Sequence, residues 1–352
     1  MLRKNILFLT PDFNIVCGRS KNVLLLSKVL LEDNWNVNII TNKGDLTNKA
    51  KSEGVNILSE QICFQSYNPI TVFKSLQRLN KLVKEYNIQI LHTHHRYYEV
   101  LGYLLKKLYR LEHLKLITTV HSMYSKKHFL INYPSEKIIA VSKYLNNYLV
   151  NVCNVEDSKV DVVYNYVNNV EFKMRKDKNN KIYILSIGRF SYEKGFDLVF
   201  EALSGLSVMD YKYIIIGEGG EYESLNILAE KYKINIEFVK PQFELNTYYS
   251  KCDICIIPSR QEGLSFVALE AGMFSIPVIA SNTGGLKEII QHEETGLLFE
   301  AGNYKDLLKA ILRYKDNRKQ ASILGENLNR KIVSEFNKEV FKQKMLNIYY
   351  SL

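Results

Sequence analysis

Short apolar runs alternate with amphipathic stretches along the whole chain. In the first half "NILFLT", "VNIIT", "IQILHTH", "KLITTVHS", "KIIAVS" and "DVVYN" read as buried strands. "KNVLLLSKVLLED" has the spacing of a helix that stops at Asn34, and Ser142 stands where it can cap a helix over "SKYLNNYLV". The second half repeats the scheme with "IYILSIG", "KYIIIGEG", "INIEFV", "DICIIPS" and "PVIAS". Strands that alternate with helices form parallel sheets covered on both faces. The polar, aperiodic stretch "EFKMRKDKNNK" separates the halves as a linker. The pattern therefore predicts an α/β protein of two doubly wound domains, residues 1–170 and 182–335, joined by 171–181. Residues 336–352 are expected to form a C-terminal helix that packs back toward the first domain. A ligand is expected at the strand C-termini, facing a cleft.

Size agrees with this division, because 352 residues with 46% hydrophobic positions exceed one core. The N-terminus lacks a signal-peptide layout and no apolar run reaches the roughly 18 residues of a membrane span, so a cytoplasmic protein is expected. Five scattered cysteines read as reduced thiols. The C-x-x-C of "CDIC" lies in a buried strand, where residues three apart face opposite ways, and is assigned to core packing. The net charge of +10 is uneven: residues 1–170 hold 22 Lys/Arg against 13 Asp/Glu, and the second half is close to neutral. These cations cluster in "VFKSLQRLNKLVKEYN", "YLLKKLYRLEHLKL" and "SKKH". Taken alone they favour a solvated helix face; the sharper alternative is a surface for anionic lipid or a phosphorylated acceptor. They match no nucleic-acid recognition motif, so nucleic acid is not expected as a partner.

The loops after the strands carry the chemistry. The first strand is followed by "PDFNIVCGRSKN", with the single glycine Gly18 in place of G-x-G-x-x-G, which disfavours a dinucleotide enzyme. No Walker A signature is present, "GEGG" is too short and generic to carry a claim, and no D-x-D pair stands ready to hold a cation against a diphosphate. In the second half, "RFSYEKGFDLVFEAL" puts Arg189 and Lys194 on a strand-to-helix loop. A planar fork and a mobile point charge suit two linked phosphates; the loop reads equally as ordinary surface with Glu193 pairing locally. "RQEGLSFVALEAG" places Glu262 at a strand end and lets the chain turn tightly at Gly263. The N–H groups of Gly263, Leu264 and Ser265 then open a helix as an anion site, with Glu270 about two turns on. A carboxylate accepts two hydrogen bonds side by side and suits vicinal hydroxyls. Two of them around a phosphate-binding helix start suit a molecule with a sugar at each end of a diphosphate, as in a nucleotide sugar.

"IGRFSYEKGFDLVFEAL", the two glutamates with seven residues between them, and "PVIASNTGGLKEIIQHEETGLLF" resemble the donor domain of the retaining glycosyltransferases of family 4. These enzymes have the GT-B fold of two Rossmann-like domains. The first half resembles the family more loosely, through "LHTH", "TVH", "AVSKYL" and "VVYN". The resemblance implies that Arg189 and Lys194 contact the diphosphate, Glu262 the transferred sugar and Glu270 the ribose. It also implies that Gly18 is the remnant of a glycine loop and that His94 faces the transferred sugar near the reacting carbon. Departures from the family pattern are Cys17-Gly18-Arg19 where two adjacent glycines are usual, Asn165-Tyr166 for Asn-Gly, and Ser275 for a glycine; "FVKPQ" lacks the glycine usual near the base.

His92, His94 and His95, with His121 as a weaker candidate, also raise zinc. Alternation puts His95 on the other face from His92 and His94, with no cysteine or acid beside them, so a polar role for His94 or a satisfied core position is preferred. The expected activity is transfer of a sugar, with retention, from a nucleoside diphosphate sugar (UDP favoured) to a glycan or lipid-linked acceptor in cell-surface polysaccharide or lipopolysaccharide synthesis. No metal or other cofactor is expected, and peripheral contact with the inner face of an anionic membrane is. The alternatives are a nucleotide-sugar epimerase or phosphorylase on the same fold, and a non-catalytic sugar-nucleotide-binding or scaffold subunit.

Overall fold

The structure is a computed structural model that describes residues 4–42, 44–58, 66–124, 131–169 and 181–352. The chain divides into two compact units, residues 1–164 with 342–352, and residues 165–341. The first boundary falls a few residues before the expected one. The stretch read as a linker lies outside the described residues apart from Lys181, as do "SKKH" and Cys63.

In the first unit the strands are β1 (Asn5–Leu9), β2 (Asn36–Ile40), β3 (Asn56–Ile57), β4 (Ile90–Thr93), β5 (Lys115–Val120), β6 (Lys137–Ala140) and β7 (Val160–Val162). The described residues form one parallel sheet in the order β3-β2-β1-β4-β5-β6-β7. The order reverses at β1/β4, and the loops that leave those two strands therefore diverge and open a crevice at their C-terminal ends. Helices α1 (Gly18–Glu32), α2 (Leu46–Ser52), α3 (Pro69–Glu85), α4 (Arg96–Tyr109) and α5 (Lys143–Asn147) connect the strands. Helix α1 begins at Gly18, three residues before the apolar pattern starts, so Gly18 is a helical residue. Asn34 does take the left-handed conformation at the stop (φ 60°), and Ser142 Oγ accepts from Leu145 N at 3.2 Å as the cap of α5.

Helix α3 carries the first of the basic stretches, and its two sides do different things. Leu76, Leu79 and Val83 are buried in the unit's core, together with Leu82. Phe73, at helical spacing from Leu76, is 50% exposed. The apolar stripe is thus used to hold the helix to its own sheet, and what α3 leaves outside is a basic face with a few apolar residues at its start.

In the second unit, β8 (Ile182–Ile187), β9 (Tyr211–Ile216), β10 (Ile236–Val239), β11 (Ile254–Ile257), β12 (Val278–Ser281) and β13 (Leu297–Phe299) form a parallel sheet in the order β10-β9-β8-β11-β12-β13. Its helices are α6 (Phe196–Leu203), α7 (Tyr222–Lys231), α8 (Asn246–Lys251), α9 (Phe266–Met273), α10 (Leu286–Ile289), α11 (Tyr304–Asp316) and α12 (Arg318–Glu335). Ile184, Phe200, Tyr213, Ile215 and Leu307 are among the side chains of its core. The last helix, α13 (Lys338–Tyr350), gives residues 342–352 to the first unit. There Tyr349 packs on Trp35 (5.4 Å between ring centroids) and its hydroxyl meets His92 Nδ1 at 2.6 Å.

Cys252 and Cys255 are buried, and burial raises both thiols, that of Cys255 to about 12, so neither is a ready metal ligand. Among the described residues no group of three metal-binding side chains occurs and no helix is long and apolar enough to cross a membrane.

Candidate functional site

In the second unit the strand-end loops after β8, β11 and β12 converge. Glycines at three points permit this. Gly195 has φ 65°, and a Cβ on it would lie 2.2 Å from the carbonyl oxygen of Pro258. Gly284 (φ 51°) and Gly285 lie against the next turn, where a Cβ on either would meet Glu262 O or Gly263 O at 2.0 Å. Only a residue without a side chain allows backbones this close. "GEGG" turns out to act in the same way. Gly217 and Gly219 lie against Gly188 and Phe190, with Cβ positions 1.9 and 2.4 Å from their carbonyl oxygens, and so support the loop that carries Arg189.

Lys194 Nζ lies 2.7 Å from Glu262 Oε2, which also accepts from Ser259 Oγ at 3.0 Å. The two residues that were expected to take a phosphate and a sugar thus neutralise each other. Arg189 is exposed on the same loop, and its guanidinium makes no ion pair or hydrogen bond with the described residues. Of the two cations expected at the diphosphate, Lys194 is engaged by Glu262 and Arg189 is exposed. The local alternative is also seen: its own backbone N–H, Ser191 and the nearby charges of Arg189 and Lys194 hold the Glu193 carboxyl below its ordinary value, and its backbone carbonyl accepts from Arg260 N (2.8 Å).

Helix α9 starts at Phe266, one residue later than read. Ser265 is its cap and its Oγ accepts from Ala268 N at 3.3 Å. Gly263, Leu264 and Ser265 are buried, and among the described residues their own N–H groups meet no acceptor. Glu270 lies on the second turn of α9 and accepts from Tyr249 Oη at 2.9 Å. Tyr249 is itself locked by stacking on Phe274, with centroids 5.0 Å apart.

Tyr249, Asp197 and Arg260 carry no motif signal and were not expected. Arg260 donates to both Asp197 oxygens (2.7 and 2.5 Å) and to Tyr192 O (2.9 Å), with its guanidinium 4.2 Å from the centre of the Tyr192 ring. The Gly-Gly after β12 was visible in the sequence as a sign of close backbone approach, although not of what it approaches.

In the first unit the histidines lie at and beyond the ends of β4 and β5. His92 is satisfied on both nitrogens, by Tyr349 Oη and by Thr119 Oγ1 (2.8 Å). His95 caps α4, its Nδ1 accepting from Tyr97 N at 3.2 Å, so the face-by-face reading misses its role. His94 stacks on His92 (4.4 Å) and its Nδ1 lies 3.0 Å from His121 Nε2. His94 is fully buried, and its Nε2 is without a partner among the described residues. Burial holds His92 down to about 3 and His94 and His121 well below the ordinary value, so all three are neutral at pH 7. Beside Gly18, Arg19 pairs with Asp12 at 2.5 Å. Gly18 is thus flanked by a buried thiol, Cys17, and a paired cation, Arg19.

Two parallel doubly wound sheets, with a cation, a carboxylate and unpaired N–H groups at the strand C-termini of the second, define an α/β protein of two Rossmann-like units. Residues 168–331 match the model of the glycosyl transferases group 1, and residues 18–170 that of glycosyltransferase family 4. The chain is 32% identical, over 70% of its length and 71% of the relative's, to an uncharacterized glycosyltransferase of Methanocaldococcus jannaschii. It is 21% identical, over 60% of each chain, to the capsular polysaccharide biosynthesis glycosyltransferase CapM of Staphylococcus aureus. Its fold matches that of Anabaena HepE in complex with UDP-glucose, with a TM-score of 0.86 at 17% identity, over 99% of this chain and all of the other. The chain belongs to the family 4 glycosyltransferases and has the GT-B fold.

Proposed function

We propose that this glycosyltransferase moves a sugar, with retention of configuration, from a UDP-sugar to a glycan or lipid-linked acceptor in cell-surface polysaccharide synthesis. The observation that carries the reading is the Lys194–Glu262 pair lying beside the unpaired N–H groups of Gly263, Leu264 and Ser265. When the bond from the anomeric carbon to the diphosphate breaks, its electron pair leaves with the diphosphate. Lys194, Arg189 and the helix start stabilise that charge, and preorganised groups of this kind give the largest electrostatic contribution in such sites. Glu262, released from Lys194, accepts hydrogen bonds from the transferred sugar; Glu270, oriented by Tyr249, accepts them from the ribose. In the first unit Gly18 stands at the start of α1, and His94, neutral with an open Nε2, is free to hydrogen-bond one hydroxyl there. No side chain is assigned as a covalent nucleophile, and with two cations and a helix start available no metal is required.

The UDP preference is supported by the UDP-glucose named for HepE, and the polysaccharide context by the name of CapM. A thermal-shift panel of UDP-, GDP- and ADP-sugars tests the reading, since a site ligand at 100 times its dissociation constant adds about 2.7 kcal/mol of stability. A rise in Tm with UDP-sugars above the others is expected. No rise with any of them refutes it.

A further inference from the structure

We propose that Arg260 and Asp197 form a positioning clamp that fixes Lys194 and Glu262 for the diphosphate, without either touching the donor. The proposal rests on the donor-site reading above. Lys194 sits on the loop after β8 and Glu262 on the loop after β11, which are neighbouring strands. Arg260 ties these loops together by several bonds. From the second loop its two terminal nitrogens reach both oxygens of Asp197, in the first turn of α6, and the carbonyl of Tyr192; its own N–H reaches Glu193 O at 2.8 Å. Its carbonyl in turn accepts from Thr283 Oγ1 at 3.3 Å, which adds the loop after β12 whose glycines press on Glu262 and Gly263. Three strand-end loops thus meet at one residue.

The pair is half-buried, and a single ion pair at such a site adds only modestly to stability. Bidentate pairing instead fixes two loops in one plane and register, which a lysine cannot reproduce. The terminal nitrogens of Arg260 are engaged by Asp197 and by the carbonyl of Tyr192.

The test uses the full chain and UDP as the probe, with GDP and ADP alongside, and measures binding by calorimetry together with Tm. Arg260→Met, Arg260→Lys and Asp197→Asn are each expected to weaken UDP about tenfold, and the double variant Arg260→Met/Asp197→Asn no further than either alone, because one interaction is lost in each case. Asp197→Asn keeps the side-chain volume, so binding is read on a folded protein, as its Tm verifies. Variants that bind UDP as the wild type does, whatever their Tm, reduce the clamp to a structural brace and overturn the proposal. Additive losses in the double variant overturn it too, since the residues then act separately. Wild type that binds none of the three nucleotides refutes the donor-site reading itself, an outcome distinct from a failed clamp.

Discussion

At the residue scale, Lys194 and Glu262 form one ion pair and act on two different parts of the donor in the proposed reaction. Replacing either leaves the other unpaired and also removes a positioned group from the transition state. Lys194→Ala and Glu262→Ala are each expected to lower kcat about 10²- to 10³-fold, or roughly 3–4 kcal/mol. Glu270 faces a ribose that changes little during reaction, so Glu270→Ala and Tyr249→Phe should mainly raise the donor KM with kcat retained. Steady-state kinetics on the four variants separate these patterns, and uniform few-fold effects in both constants argue against the site. That Lys194 and Glu262 stand on strand-end loops was legible in the sequence; that they meet at 2.7 Å was not. Nor were the partners of Glu270 and Arg260, because Tyr249 lies 21 residues from Glu270 and Asp197 lies 63 from Arg260, and only the fold brings them together. Gly217 and Gly219 show the same limit: their small size is visible in the sequence, and the backbone they press against is not.

At the scale of single elements, helix α3 bears on the acceptor. Its apolar stripe faces the core, which the 3.6-residue periodicity alone does not distinguish from a stripe facing a membrane. What remains exposed on the helix is Ile70 and Phe73, at 67% and 50%, beside exposed Lys74, Arg78, Lys81 and Lys84, with exposed Tyr67 just ahead of it. Aromatic and aliphatic side chains next to cations suit the surface of an anionic bilayer, where each cation contributes about 1 kcal/mol. A lipid-linked acceptor at the cytoplasmic face is the corresponding proposal. Sedimentation with anionic liposomes should be strong at low salt and fall steeply as salt rises, because exposed charges are screened over about 8 Å at physiological ionic strength. Reversing the four cations to Glu should abolish it while leaving donor binding unchanged. Wild type that ignores such liposomes at low salt makes the face a solvated surface.

At the scale of the whole molecule, the alternation of strands and helices made both sheets legible. The short edge strands β3 and β13 escaped, since two or three residues carry too little pattern. The buried histidines of the first unit give it a pH dependence that the sequence does not show. Burial lowers His92 to about 3 and His95 to about 4, and holds His94 and His121 well below the ordinary 6.5. The unfolded chain therefore binds more protons than the folded one between about pH 6.5 and 4. Stability is full above that window and is lost as pH falls through it, by up to about 1.4 kcal/mol per pH unit for each histidine. Thermal unfolding from pH 8 to 4 should show Tm nearly level above 7 and falling below 6.5; a level Tm down to pH 5 contradicts the buried neutral cluster.

The central claim is that a glycosyl donor's diphosphate is held by Lys194, Arg189 and the start of α9 with no metal ion between them. Calorimetric titration of the full chain with UDP-glucose in excess EDTA, repeated with magnesium, tests it most directly. The account predicts saturable binding of equal affinity in both buffers, weakened about tenfold or more in Lys194→Ala. Binding that vanishes in EDTA and returns with magnesium, or that Lys194→Ala leaves untouched, contradicts it.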